Sequence, residues 1–360
     1  MAESAPSLLV IRRRYLGDIV LLGSVLRNLR LHWPTARITV LTEAAYTGIL
    51  PLNPDVDASL AFPRHLSNWP GFIRTLRGAH YTHVLDFDNT EKTALVSRLS
   101  GAAVRATFNR ELITFRFGWF YTHVAKVTND FYDSHHITET YLALLPALGV
   151  PVVSREVRLV PRPADLAAIA SWAGTGHPTY STRPPRILLH PGSRSLFRLW
   201  PVERFAAVCD RLQEKLGVQV FVVAGPGEQK LVEQIRSHAK FHLVAITQRF
   251  TVGQFAAMVA QFNLLLCHDS GPMHVAAAVG TPVVALFGSQ NATIWRPLGS
   301  RQTVLQTTLP CACLGAATPT PCEQGNSYRS YCVRQITEDE VFNAIAAQLA
   351  VKGEATKPGI

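Results

Sequence analysis

No run of apolar residues in this chain of 360 residues approaches the roughly 20 needed to cross a bilayer. A secretory signal is missing as well: MAESAPSLLVIRRRYLGD begins acidic, and its short apolar segment precedes the arginines, the reverse of the usual order. That segment reads as a buried first strand, and the expectation is a cytoplasmic protein whose thiols are mostly reduced. There is no fixed-period repeat and no low-complexity tract. No nucleic-acid-binding motif accompanies the positive charge. The glycine fingerprint G-x-G-x-x-G is absent, and so are the paired C-x2-C knuckles of common zinc sites.

What is present is apolar and basic. Hydrophobic residues make up 48% of the chain and charged residues 17%, enough for sizeable cores and too apolar for disorder. The net charge of +10 is spread along the chain and forms no tail. It favours anionic partners: nucleotides, a phosphorylated lipid or a membrane surface.

Apolar runs alternate with helical spacings from end to end. Strands are expected at Leu8–Arg12, Arg37–Thr42, His83–Phe87, Arg186–His190, Gln219–Val223, Leu264–Cys267 and Pro282–Phe287. Helices are expected at Ile19–His32, Glu91–Leu99, Thr138–Leu148, Val202–Leu216, Leu231–His238, Pro272–Val279 and 337–349, with Phe255–Ala260 inside another. Such alternation predicts an α/β protein with parallel sheets covered by helices on both faces. Residues 173–185 are rich in Gly, Pro, Ser and Thr and read as a linker. The division expected is a first Rossmann-like domain over 1–172, a second over 186–336, and a last helix and tail over 337–360. Phe108–His136 reads as a long, irregular, aromatic and basic connection, a kind that is often functional.

The stretch CHDSGPMHVAAAVGTPVVALFG at 267–288 offers a metal site, a nucleophile or a phosphate cradle. A strand ending at Cys267, a turn His268-Asp269-Ser270-Gly271 and a helix opened by Pro272 favour the cradle. Free N–H groups and the dipole of the helix start suit phosphate. Ser270 adds a hydroxyl, and Asp269 is either ligand-binding or the helix cap. His268 and His274 stand six apart, a spacing that does not make them converge with Cys267 on one metal, and a buried cysteine is ordinarily inert packing.

Three other constellations stand at strand ends. Gly17-Asp18, in YLGDIVL, follows the first strand, where open α/β sheets bind ligands; Asp18 is a helix cap or a general base. HPGSRSLFRLWP at 190–201 joins a Gly192-Ser193 turn to Arg194 and Arg198, a reasonable diphosphate clamp. AGPGE at 224–228 is a glycine-rich turn whose Glu228 suits a ribose hydroxyl. Arg12, Arg14, Arg105 and Arg110 lie in the first half, where they either meet a phosphorylated lipid head group or form a solvated basic face. Cys311, Cys313, Cys322 and Cys332 fall within 22 residues; a structural metal, a disulfide and free thiols are all open.

Together, LGD near residue 17, HPGS…RxWP at 190–201, GPGE at 225–228, DSGPMH at 269–274 and the following GTPVVALFG resemble glycosyltransferase family 9, the ADP-heptose:lipopolysaccharide heptosyltransferases. The cysteine-bearing PCxC…PC…YCVRQIT tail is similar as well. The resemblance implies a GT-B fold, two Rossmann-like domains facing across a cleft. It also implies acceptor binding in the first domain, nucleotide-sugar binding in the second, and a final helix that packs back on the first. The implied reaction is inverting transfer of heptose from ADP-heptose to a lipopolysaccharide inner-core acceptor, with no metal or cofactor required. Asp18 matches the catalytic base, beside Gly17. Ser193 and Arg198 match the donor-phosphate segment, with Gly192 and Arg194 beside them. Glu228 falls at the ribose position, and Asp269, Ser270, Gly271 and His274, with Pro272, match the signature around sugar and diphosphate. Arg198 stands where the family usually has lysine. A planar fork there is not a point charge, which bears on donor geometry. The partners implied are the nucleotide sugar, a phosphorylated glycolipid and the cytoplasmic face of the inner membrane. A transferase using another nucleotide sugar and an inactive nucleotide-sugar-binding protein are the alternatives.

Overall fold

In a computed structural model of the chain, β-branched and aliphatic runs form two parallel six-stranded sheets. The structure describes residues 5–111, 117–174, 184–194, 198–225, 227–299, 301–307 and 331–350. The first sheet contains β1 (Ser7–Ile11), β2 (Arg37–Glu43), β3 (Ala58–Phe62), β4 (His83–Asp86), β5 (Val104–Arg110) and β6 (His123–Val127), in the order β3-β2-β1-β4-β5-β6. The second contains β7 (Arg186–His190), β8 (Gln219–Val223), β9 (Val244–Ile246), β10 (Leu264–His268), β11 (Val283–Phe287) and β12 (Gln302–Gln306), in the order β12-β11-β10-β7-β8-β9. Numbered within each sheet, both orders are 3-2-1-4-5-6, the doubly wound arrangement of dinucleotide-binding folds. In such sheets the switch point lies between the first and fourth strands. Here that is β1 beside β4, with Ile11 level with Asp86, and β7 beside β10, with His190 level with Cys267.

The central strands are apolar on both faces because helices cover both. Leu8–Ile11 and all five residues of β7, β10 and β11 are buried. Edge strands β3 and β6 alternate between half-buried and exposed positions. That weaker pattern is why neither reads as a strand in sequence. The segment Phe108–His136, expected to be irregular, instead holds the end of β5, all of β6 and a short helix Asn129–Ser134. The expected helix over Thr138–Leu148 stops at Leu142, and a tight 3-10 turn, Pro146–Leu148, follows; Pro146 has no N–H to continue the ladder. The expected helix Ile19–His32 is two, Leu16–Leu21 and Gly23–His32, with Leu22 between them.

The chain divides into two compact units, Met1–Arg162 and Pro163–Ile360. The helix Pro163–Gly174 packs against Val252–Val259 and so goes with the second unit, not with the first as its sequence position suggested. Most of the proposed linker lies outside the described residues. The last helix, Glu338–Ala350, also departs from expectation. Its Val341 and Ile345 are buried in the core of the second unit with Leu212, Leu266 and Val284, so its apolar stripe packs on the sheet of its own unit.

Candidate active site

In the first unit, β1 ends at Ile11 and the chain turns into the helix Leu16–Leu21, carrying Arg12 and Asp18 to the switch point. Asp18 sits in the first turn of that helix, not before it. Its Oδ2 accepts weakly from the Tyr15 amide, at 3.4 Å. Asp18 is buried, 8% exposed. Its Oδ1 accepts from the Tyr141 hydroxyl at 2.8 Å and from Arg12 Nη2. Arg12 is held in turn by the end of β4: Nη1 donates to the Phe87 carbonyl at 2.7 Å and stands 3.3 Å from Asp88 Oδ1. Burial opposes the Arg12 charge, but Tyr141, Asp18 and Asp88 outweigh it and raise the pKa above its ordinary value. Burial pushes the Asp88 carboxyl up to about 6, although Arg12 pulls against it. Tyr141, buried and beside Asp18, is pushed well above the usual phenol range, with Arg12 opposing.

The other expected acceptor arginines differ among themselves. Arg14 is half-exposed and pairs with Glu43, Nε to Oε1 at 2.6 Å. Arg105 donates to the carbonyls of Phe120 at 2.7 Å and Ala102 at 2.6 Å, just before β6 and β5 respectively. Arg110 lies flat over the Tyr132 ring at 3.4 Å, and among the described residues no carboxylate pairs with it.

In the second unit, the ends of β7, β8 and β10 bring the other expected residues together. After β7 come Pro191, Gly192 and Ser193; the Ser193 hydroxyl oxygen is buried with no hydrogen-bond partner among the described residues. After β8, Glu228 folds back so that its Oε2 accepts from the Gly225 amide at 2.8 Å. The same oxygen is 3.8 Å from His190 Nε2 and lies against Gly192. Burial lowers the His190 pKa, with Glu228 working against it.

After β10, Asp269 pairs with Arg198 through Nη1, at 2.8 Å to Oδ2 and 3.3 Å to the Asp269 carbonyl. Both contacts to Asp269 thus run through Nη1 of Arg198. Ser270 caps the helix Gly271–Ala278 by its backbone, while its hydroxyl donates to the His268 carbonyl at 3.2 Å. Pro272 is therefore the second helical residue rather than the first; it has no N–H to offer, and the Met273 amide already donates to the Ser270 carbonyl at 3.1 Å. His274 is buried within that helix. Arg194 is described and exposed, two residues beyond Gly192.

Sequence reasoning missed the role of His268. Its Nε2 accepts from the Trp200 amide at 2.8 Å, and burial followed by neighbouring His190 pushes its pKa down to about 3. It is therefore a neutral acceptor that anchors the segment after Arg198. The Trp200 indole donates to the Ile336 carbonyl at 2.9 Å, which pins the same segment from the other side. Tyr141 and Asp88 were missed too: a tyrosine at helical spacing among apolar residues reads as core, and nothing local marks its hydroxyl. Cys267 is buried, and burial raises its thiol well above the usual range, which removes it as a nucleophile. Among the described residues no group of three His, Cys, Asp or Glu is placed to hold a metal. Cys332 is buried, while Cys311, Cys313 and Cys322 lie outside the described residues.

A family model described as glycosyltransferase family 9 (heptosyltransferase) matches residues 69–322. The chain belongs to glycosyltransferase family 9. Lipopolysaccharide heptosyltransferase 3 of Escherichia coli is 26% identical over 300 residues, which span 79% of this chain and 84% of that protein. The lipopolysaccharide core heptosyltransferase OpsX of Haemophilus influenzae is 22% identical over 311 residues, 84% of this chain and 85% of that one. Among solved structures, the family 9 glycosyltransferase of Veillonella parvula superposes with a TM-score of 0.84 at 23% identity, covering 98% of this chain and 99% of its own. The Escherichia coli ADP-heptose lipopolysaccharide heptosyltransferase II superposes with a TM-score of 0.78 at 20% identity, covering 96% and 99%. This glycosyltransferase thus has the GT-B fold of its relatives, built from two Rossmann-like units. No helix among its described residues is long and apolar enough to cross a membrane.

Proposed function

We propose that this family 9 glycosyltransferase moves heptose from ADP-heptose to a lipopolysaccharide inner-core acceptor with inversion at the anomeric carbon. One observation carries the reading: each Rossmann-order sheet has a distinct polar set at its switch point, a carboxylate in the first and a cation beside a helix start in the second. The relatives named as lipopolysaccharide heptosyltransferases support the substrate class.

Asp18 takes the proton from an acceptor hydroxyl. That oxygen forms a bond to the anomeric carbon as the bond from that carbon to the diphosphate oxygen breaks on the opposite face, and ADP leaves. Arg198 and the positive end of the helix Gly271–Ala278 meet the charge growing on the diphosphate. The outer edge of Arg198 and the Ser193 hydroxyl are the groups available to it, since Asp269 takes only Nη1. Glu228, set by Gly225 and Gly192, is placed for a ribose hydroxyl. Gly17, Gly192, Arg194, Ser270, Gly271, Pro272 and His274 shape the donor side. On the acceptor side, Arg110 on Tyr132 and the half-exposed Arg14 are suited to anionic lipid groups, with Arg12 and Arg105 supporting them. The setting is cytoplasmic, on the face of the inner membrane where the glycolipid is presented.

The test is transfer by purified protein with ADP-heptose and a heptose-deficient lipopolysaccharide, read as ADP release. Release should require both the acceptor and Asp18, and Asp18→Asn should abolish it. Binding of ADP-heptose without release on any truncated core would leave a nucleotide-sugar-binding protein. Absence of ADP-heptose binding would turn the assignment to another nucleotide sugar, with Arg198 as the first residue to exchange.

A further inference from the structure

We infer that Tyr141 and Arg12 are positioning residues that engage one oxygen of Asp18 and so present the other, Oδ2, to the acceptor hydroxyl. The inference rests on the reading of Asp18 as the base and adds which atom works and what aims it. Oδ1 accepts two hydrogen bonds, from the Tyr141 hydroxyl at 2.8 Å and from Arg12 Nη2. Oδ2 receives one long contact, from the Tyr15 amide at 3.4 Å. Turning the carboxylate about its last torsion would break both bonds to Oδ1 at once, inside a site that is almost closed to water. Oδ2 is therefore the oxygen with capacity for a proton.

Both donors are themselves fixed. Arg12 is clamped by the Phe87 carbonyl at 2.7 Å and by Asp88 at 3.3 Å. That turn is built by buried Asp86, whose Oδ1 accepts from the amides of Asp88 at 2.9 Å and Asn89 at 3.1 Å. The orientation of a residue after β1 is thus dictated by the end of β4, its neighbour across the switch point. Tyr141 comes from the helix Ile137–Leu142, and its ring lies edge-on to Phe87, with centroids 5.6 Å apart. The charged and titratable groups around Asp18 are Arg12 and Tyr141 in contact, Asp88 through Arg12, and Tyr132, which carries Arg110. Burial holds the Tyr141 hydroxyl well above the usual phenol range, which keeps it a donor to Asp18.

Tyr141→Phe keeps the ring and removes only the hydroxyl. It should lower kcat about ten-fold with the KM values for donor and acceptor within about two-fold, because aim matters in the transition state and not in ground-state binding. Its Tm should stay near the parent's. Arg12→Lys should retain part of kcat and Arg12→Met much less. A Tyr141→Phe enzyme with kcat within two-fold of the parent overturns the inference, and so does a loss that follows a fall in Tm. Should Tyr141→Phe not fold, Arg12→Lys and Arg12→Met decide: equal kcat in the two overturns it. Asp18→Asn run alongside separates the failures. If it turns over normally, the base itself is misassigned; if it is dead while Tyr141→Phe is unaffected, only the positioning fails.

Discussion

The Glu228 carboxylate occupies the space where a side chain on Gly192 would begin. A Cβ at Gly192 would stand 1.9 Å from Oε2 and 2.1 Å from the carboxyl carbon, far inside any real contact. The turn after β7 and the turn after β8 are thereby interlocked, and glycine is required at 192 for the approach rather than for an unusual dihedral.

Gly192→Ala should displace Glu228 from the Gly225 amide while leaving both sheets intact. ADP binding, followed by calorimetry, should weaken about ten-fold, and Tm should fall by only a few degrees, matching a loss of about 1 kcal/mol from the one hydrogen bond. Unchanged ADP affinity would mean that Glu228 is not a donor contact.

Arg198 divides its guanidinium: Nη1 serves Asp269 and the far edge does not. Arg198→Lys can still neutralise Asp269 but has no second edge to offer. Its Tm should remain close to the parent's while kcat/KM for the donor drops about ten-fold. Arg198→Met removes the ion pair to the buried Asp269 carboxylate and should lower both Tm and turnover, the latter by about a hundred-fold or more. If lysine proves as good as arginine, the outer edge does not touch the diphosphate.

His268 is held neutral, its pKa driven from 6.5 to about 3 by burial. A base whose pKa falls on folding stabilises the native state fully above 6.5, and that contribution is lost as pH drops toward 3. His268→Phe removes this dependence and also orphans the Trp200 amide, at a cost of about 1–3 kcal/mol. Unfolding curves should show a lower Tm for the variant at neutral pH and a gap that narrows on acidification.

Asp88 runs the other way. Its carboxyl rises from 3.8 to about 6, so its favourable contribution is complete below 3.8 and disappears as pH climbs through about 6. Asp88→Asn cannot ionise. The difference in unfolding free energy between variant and parent should therefore shift in favour of the variant between about pH 4 and 7, by roughly 3 kcal/mol at most. A flat difference across that range would show that Arg12 fully compensates the carboxylate.

Much of the architecture could be read from the chain without its coordinates. Central strands such as β7, β10 and β11 are buried on every residue and apolar through their middles, and that composition follows directly from burial on both faces. Edge strands were illegible because half-exposed positions tolerate Ser, Lys and His, as in β3 and β6. The last helix was misplaced for a related reason. Its stripe of Val341 and Ile345 shows that the helix has a partner but not which one, and only the packing assigned it to the second sheet.

The candidate site divides along the same line. Local sequence determined the strand–turn–helix units: glycine at 192, serine at 270 and proline at 272 each suit a turn or a helix start within a few residues of chain. It likewise determined that Asp18 and Asp269 stand at strand ends, because a polar residue directly after a buried run marks the edge of a sheet. Only the tertiary structure decided the pairings. Tyr141 reaches Asp18 across 123 positions, His268 reaches Trp200 across 68, and Arg12 meets Phe87 across 75. Such contacts leave no periodic trace in sequence. They arise because a parallel sheet brings the ends of strands far apart in the chain to one edge, where a buried polar group must find a partner or carry the cost of going without.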